Sequence, residues 1–164
     1  MKKLIFTLFA LLISASSFAQ FERDKIYVNA SLTGAGLSYS TASELNMGLN
    51  ATAGLFFEDC WAAVAEADLN YAGKKLQEFG AGASLRYYII QNGLYLGLGG
   101  RYQHGNLVQE ERTSFNDFQI KAEVGYAFFL SRTVTVEPAV YYRHSFKDND
   151  LSTFGLKVGF GLYF

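Results

Sequence analysis

From Ile26 to the last residue, apolar side chains alternate with polar or small ones, and the alternation resolves into eight segments separated by polar breaks. A period of two is the signature of a β-strand with one apolar face. In the first segment Ile26, Val28, Ala30 and Leu32 oppose Tyr27, Asn29, Ser31 and Thr33, and in the second Leu45 to Phe57 oppose Asn46, Gly48, Asn50, Thr52 and Gly54. The third runs from Trp61 to Tyr71 with Glu66, Asp68 and Asn70 on its polar face, and the fourth sets Phe79 to Tyr87 against Glu78, Gly80, Gly82, Ser84 and Arg86. Leu94 to Tyr102, Phe118 to Phe128, Val134 to Tyr142 and Phe154 to Phe164 repeat the scheme. Most of these runs approach the 9–11 residues that a tilted strand needs to cross a bilayer. Ten would leave too little chain for connections, so eight are expected.

The connections alternate in character. Glu58 to Cys60, Ile89 to Gly93 and Leu130 to Arg132 read as tight turns, whereas Ser38 to Glu44, Ala72 to Lys75, His104 to Asn116 and Phe146 to Ser152 are more polar, three of them longer. Short turns on one side and longer loops on the other are the asymmetry of outer-membrane barrels. Pro138 interrupts the seventh segment; lacking an N–H, it predicts a local bulge or one missing ladder bond.

Alternation alone does not separate a membrane barrel from a water-soluble one. The placement of aromatic residues does. On the apolar face Phe57, Trp61, Tyr87, Tyr126, Phe128 and Phe164 gather at one rim, and Tyr71, Phe79, Tyr102, Phe118, Tyr142 and Phe154 at the other, with Ala, Leu, Val and Ile between. Two aromatic girdles around an aliphatic band suit a surface that meets lipid. The opposite face carries Glu66, Asp68, Glu78, Glu123 and Glu137 against Arg86, Arg101, Lys121, Arg143 and Lys157. An eight-strand interior is only wide enough to be filled by side chains, so the rings belong outside and these charges inside. Five acids facing five bases can neutralise one another there, as a buried charge requires.

The segment ahead of the strands fixes the route. Met1-Lys2-Lys3, an apolar run from Leu4 to Ile13 broken only by Thr7, and small residues ending in Ser17-Phe18-Ala19 have the layout of a secretory signal peptide. That run is too short to span about 30 Å of hydrocarbon. Cleavage after Ala19 divides the chain into a leader, 1–19, and one domain, 20–164. The mature part has 164 − 19 = 145 residues and, without Lys2 and Lys3, 12 basic against 15 acidic groups. Nucleic-acid binding, which calls for a basic face, is not expected. Cys60 is the single cysteine, so no intramolecular disulfide forms, and it reads as a small or turn residue.

The chain ends with Phe160, Leu162 and Phe164 at alternating positions and Tyr163 between them. With Gly82-Ala83-Ser84-Leu85-Arg86-Tyr87-Tyr88 and Leu94-Tyr95-Leu96-Gly97-Leu98-Gly99, this resembles the small outer-membrane β-barrels of the OmpA/OmpX type across essentially the whole mature chain. The resemblance implies an all-β, eight-stranded, antiparallel up-and-down transmembrane barrel in a bacterial outer membrane. It also implies that Phe160, Leu162 and Phe164 form a terminal signal read by the barrel-assembly machinery. The expected partners are outer-membrane lipid and that machinery, with any surface ligand unspecified.

Little chemistry stands out. His104 and His144 are the only histidines. His144 and Ser145 are adjacent, so on a strand they face opposite ways and cannot meet. No His/Cys cluster suggests a metal site; Asp148 and Asp150 read as a solvated turn, and Glu110-Glu111-Arg112 as an exposed charge run. No catalytic residue, cofactor or metal is expected. The leading expectation is a structural or surface-interaction barrel with a plugged, charge-paired lumen. A narrow channel for ions or very small solutes is the alternative, and a lipid-modifying enzyme ranks behind both.

Overall fold

Each alternating segment becomes an antiparallel strand whose successive side chains point to opposite faces. The computed structural model describes residues 21–33, 46–72, 76–89, 93–108, 112–147 and 152–164, without the side chains of 46–47, 71–72, 76–77, 106–108 and 112–115. The leader 1–19, Ser38 to Glu44, Leu45, Glu110, Glu111, Asp148, Asp150 and the side chain of Tyr71 lie outside that description. The strands are β1 Ile26–Thr33, β2 Asn46–Glu58, β3 Trp61–Ala72, β4 Leu76–Tyr88, β5 Leu94–Val108, β6 Arg112–Tyr126, β7 Phe128–Phe129, β8 Val134–Ser145 and β9 Thr153–Tyr163. Neighbours in sequence pair along the sheet, and β1 pairs with β9, which closes it into a barrel.

The two-residue β7 continues β6, so nine elements make eight barrel strands. The cause of the break is Pro138. Pairing of β6 with β8 stops at Gly125↔Ala139 and resumes, in β7, at Phe128↔Val136. The register is unchanged, because 125 + 139 and 128 + 136 are both 264. The skipped position opposite Pro138 is Tyr126, where no N–H is offered. The interruption is therefore a lost ladder bond with no bulge.

The stagger of the barrel follows from its registers. Paired residues lead from Thr135 through Gly161, Asn29, Thr52, Glu66, Gly82, Arg101 and Gln119 back to β8 at Ser145. One circuit thus climbs 145 − 135 = 10 residues. Eight strands with that shear tilt by about 40° to the barrel axis.

One connection differs from its sequence expectation. His104 to Asn116 is not a long loop: β5 continues to Val108, β6 begins at Arg112, and the two pair as far as Val108↔Arg112. Polar residues stand on both faces of this hairpin extension, so the alternation disappears although the ladder goes on. At the opposite end, Asp59 and Cys60 make a tight turn with Cys60 in the left-handed region at φ 65°. Its N–H donates to the Phe21 carbonyl (2.7 Å) and its carbonyl accepts from the Tyr88 N–H (2.8 Å). Gly93 supplies the positive φ (92°) where β5 starts, and Ser131 Oγ accepts from the N–H groups of Thr133 and Val134 in the last tight turn.

The outer surface is apolar along the strands. Leu32, Leu49, Leu98, Val158 and Phe160 are among the exposed aliphatic and aromatic side chains. Aromatic residues are paired across strands at both margins: Trp61 faces Tyr87 with ring centroids 4.8 Å apart, and at the other margin Tyr102 is in register with Phe118 and Tyr142 with Phe154. Such cross-strand aromatic pairs are favourable on a sheet face.

Candidate functional site

The interior of the barrel is the only place where charged groups gather away from water among the described residues, and it is built in two parts. The end at which the described residues begin, at Phe21, and finish, at Phe164, is aromatic. Phe21, Phe56, Tyr88, Tyr95 and Tyr163 are buried there with Ala62, Val64 and Ala127. Phe21 stacks on Tyr88 with centroids 4.1 Å apart, and Tyr163 meets it edge-on at 5.6 Å. Phe21 carried no alternation signal that assigned it inward, whereas Phe56 is in step with Thr52 and Gly54 and is an apolar residue on the otherwise polar face.

Above this layer lies a polar network. The Tyr27 hydroxyl donates to Glu137 Oε2 (2.5 Å), and the Tyr163 and Thr135 hydroxyls donate to Glu137 Oε1 (2.9 and 2.8 Å). Arg86 donates through Nη1 to the Tyr27 hydroxyl (2.8 Å) and through Nη2 to Glu123 Oε1 (2.9 Å). Its guanidinium also lies over the Tyr95 ring, 4.5 Å from the centroid, a favourable cation–π contact. Glu123 further takes Lys157 (2.5 Å) and Lys121 (3.2 Å), and Lys121 bonds Glu66. Glu137, Arg86, Glu123, Lys157, Lys121 and Glu66 thus form one connected run, three acids with three bases.

Nearer the loop end, Arg101 Nε donates to Asp68 Oδ1 (2.8 Å), and a second bond joins Nη2 to Asp68 Oδ2. Arg101 Nη1 reaches Gln103 and Gln119 (2.6 and 2.7 Å). Glycine makes this possible: a Cβ on Gly80 would collide with the Arg101 guanidinium. Arg143 lies 3.9 Å from Asp68 and over the Tyr141 ring. Glu78 sits half-buried at this end, and no salt bridge reaches it among the described residues. Beside this group is an acid that the sequence pattern had placed outside any strand face. Asp117 is 4% exposed and takes Gln119 Nε2 on one oxygen (3.0 Å), leaving Oδ1 without a partner. The inward charges are therefore six acids and five bases, not five of each. Arg143 Nε is likewise unpartnered.

The residues considered for catalysis do not assemble. Ser145 is buried inside while His144 lies on the other face. His144 Nδ1 instead touches Ser152 Oγ at 3.4 Å, and that hydroxyl already accepts the Ser145 N–H at 3.2 Å. His104 is held outside by Asn116 at 2.7 Å. No group of three His, Cys, Asp or Glu side chains suited to a metal ion occurs among the described residues. At the end of β9, Phe160, Leu162 and Phe164 all point outward. Phe164 exchanges both backbone bonds with Ile26 (2.9 and 3.1 Å), and so completes the seam.

The crystal structure of the N-terminal β-barrel domain of Pseudomonas aeruginosa OprF superposes on this chain with a TM-score of 0.65. The match covers 87% of this chain and 98% of that one, at 13% identity. The fold is that of the small outer-membrane β-barrels. Neisserial surface protein A (NspA) is similar in the same way, with a TM-score of 0.63, 12% identity and coverage of 85% and 96%. A de novo designed transmembrane β-barrel also matches, with a TM-score of 0.52, 10% identity and coverage of 87% and 98%. The likeness to a designed chain shows that barrel geometry alone is being matched. Neither a protein-family model nor a curated protein matches the sequence.

Proposed function

We propose that this protein is an integral barrel of a bacterial outer membrane whose lumen is sealed, and that it acts through its framework or its outer surface instead of passing solutes. The observation that carries this reading is the aromatic layer at the terminal end. Phe21, Phe56, Tyr88, Tyr95 and Tyr163 are each at most 2% exposed and fill the cross-section there. The membrane location is supported by the aliphatic band between aromatic margins, since a soluble barrel would turn that face inward. In this orientation the terminal end is periplasmic and the long β5–β6 hairpin projects outward. The outward row Phe160, Leu162 and Phe164 is the surface offered to the assembly machinery. A chain lacking Phe164 should accumulate unfolded in the periplasm, and a normal membrane yield of it would remove that assignment.

A narrow ion channel is the second reading, favoured by Asp117 Oδ1 and Arg143 Nε, buried polar atoms without a protein partner at the loop end, the kind of group that ordered water satisfies. The test is conductance of the purified protein in planar bilayers. No steady porin-sized events are expected, and reproducible single-channel steps from a verified monomer would replace the sealed-barrel reading with the channel.

A further inference from the structure

The Phe21 ring is not held by its neighbours in sequence. Its contacts come from Phe56 on β2, Tyr88 on β4, Phe129 on β7 and Tyr163 on β9, with centroids between 4.1 and 6.0 Å away. The socket is thus assembled from distant parts of the chain, and its last wall arrives with the final strand. The strap that delivers the ring is short and tied only by a few bonds. Asp24 adopts a left-handed φ of 69° that turns the chain back over the barrel mouth. Asp24 N–H donates to Phe56 carbonyl (2.8 Å), Phe56 N–H to Lys25 carbonyl (2.9 Å), and Arg23 N–H to Asp59 Oδ1 (3.0 Å). The Phe21 carbonyl also accepts from the Cys60 N–H (2.7 Å); Glu22, Arg23 and Asp24 themselves are exposed, so outside these bonds only the ring anchors the strap.

We propose that residues 21–25 are a latch that engages last. Phe21 enters its socket only after β9 has paired with β1, and its insertion then holds the terminal end of the β1–β9 seam shut. The order follows from connectivity. Until Tyr163 is in place the socket lacks a wall, and a ring beside a half-open, wet cleft gains little burial. Once engaged, the ring bridges β2, β4, β7 and β9, so opening the seam at Tyr163 means first losing contacts on several sides of the barrel. This device concerns assembly and breathing, and it stands whether or not the lumen conducts.

Two measurements on the full barrel decide it. In a Trp61→Phe background, Phe21→Trp places the only tryptophan in the latch. During folding from urea into phospholipid vesicles, its blue shift should lag the far-ultraviolet circular-dichroism signal of the sheet. A blue shift that coincides with or precedes sheet formation overturns the proposal. In the second measurement, Phe21→Ala should raise amide exchange about tenfold at Ile26 and Phe164, whose N–H groups bond across the seam. Exchange at Leu32 and Val158, at the other end of the same seam, should not change. Exchange that rises equally at both ends, or at neither, also overturns it.

Discussion

At the terminal end of the lumen, Phe21, Phe56, Tyr88 and Tyr163 exclude water by shape, and the carboxylate just above them, Glu137, receives Tyr27, Thr135, Tyr163 and Asn29. At the loop end Asp68, Arg101, Gln103, Gln119, Asp117 and Arg143 are also buried, yet Asp117 and Arg143 each retain an atom with no partner. In one half the charges balance, and the lumen atom without a partner is the uncharged Tyr95 hydroxyl; in the other there is an extra acid, and the unpartnered atoms belong to charged groups. Buried polar atoms without protein partners are tolerable where water can reach them and costly where it cannot. The difference teaches that burial by neighbouring side chains is not the same as dryness. Rings fill the sealed half, whereas the loop half is covered but leaves charged groups with atoms for which the protein supplies no partner.

Substitutions in the two halves should therefore differ in cost. The largest effect is expected for Arg86→Met, which leaves Glu123, Glu137 and the Tyr27 hydroxyl without the guanidinium that joins them. An uncompensated charge in a dry interior costs about 3–5 kcal/mol. Equilibrium unfolding in bilayers would read it, and adding Glu123→Gln should restore part of the loss. Arg101→Met should cost less, about 1–3 kcal/mol, although Arg101 makes four side-chain hydrogen bonds against the two of Arg86. Asp68 keeps Asn70 at 2.8 Å and has Arg143 at 3.9 Å to draw closer, and water can complete the shell. Equal losses for the two variants would erase the distinction between the halves.

The strand plan was legible because water and lipid impose opposite demands on alternate residues. Phe79, Ala81, Ala83, Leu85 and Tyr87 are exposed while Ser84 and Arg86 are buried, as the period-two pattern of β4 requires. Pro138 marked its own ladder gap. What escaped lacked that contrast. Phe21 follows the leader among Glu22, Arg23 and Asp24, with no repeat to assign it a direction, and its socket exists only in the closed barrel. Asp117 lay hidden in the polar stretch from His104 to Asn116 and Asp117 itself, where strands continue past the point at which one face must be apolar. The identity of each ion partner was also unreadable, because it depends on a stagger that no single strand encodes.

That stagger has a consequence for how charges find one another. Eight strands climbing ten residues turn the inner wall into a spiral staircase, and side chains reach across to the tread at their own height, not to the one joined by the same rung. Glu66 shares its rung on β6 with Gln119, but its partner is Lys121, two residues along. Asp68 shares its rung on β5 with Gln103, but binds Arg101. Lys157 shares its rung on β6 with Gly125, but binds Glu123. In all three cases the offset is two residues and runs in the same sense around the wall. Shifting any one strand by a single pair would move its charges to new steps, so the network of opposite charges acts as a lock on register, keyed to one pitch of the stair.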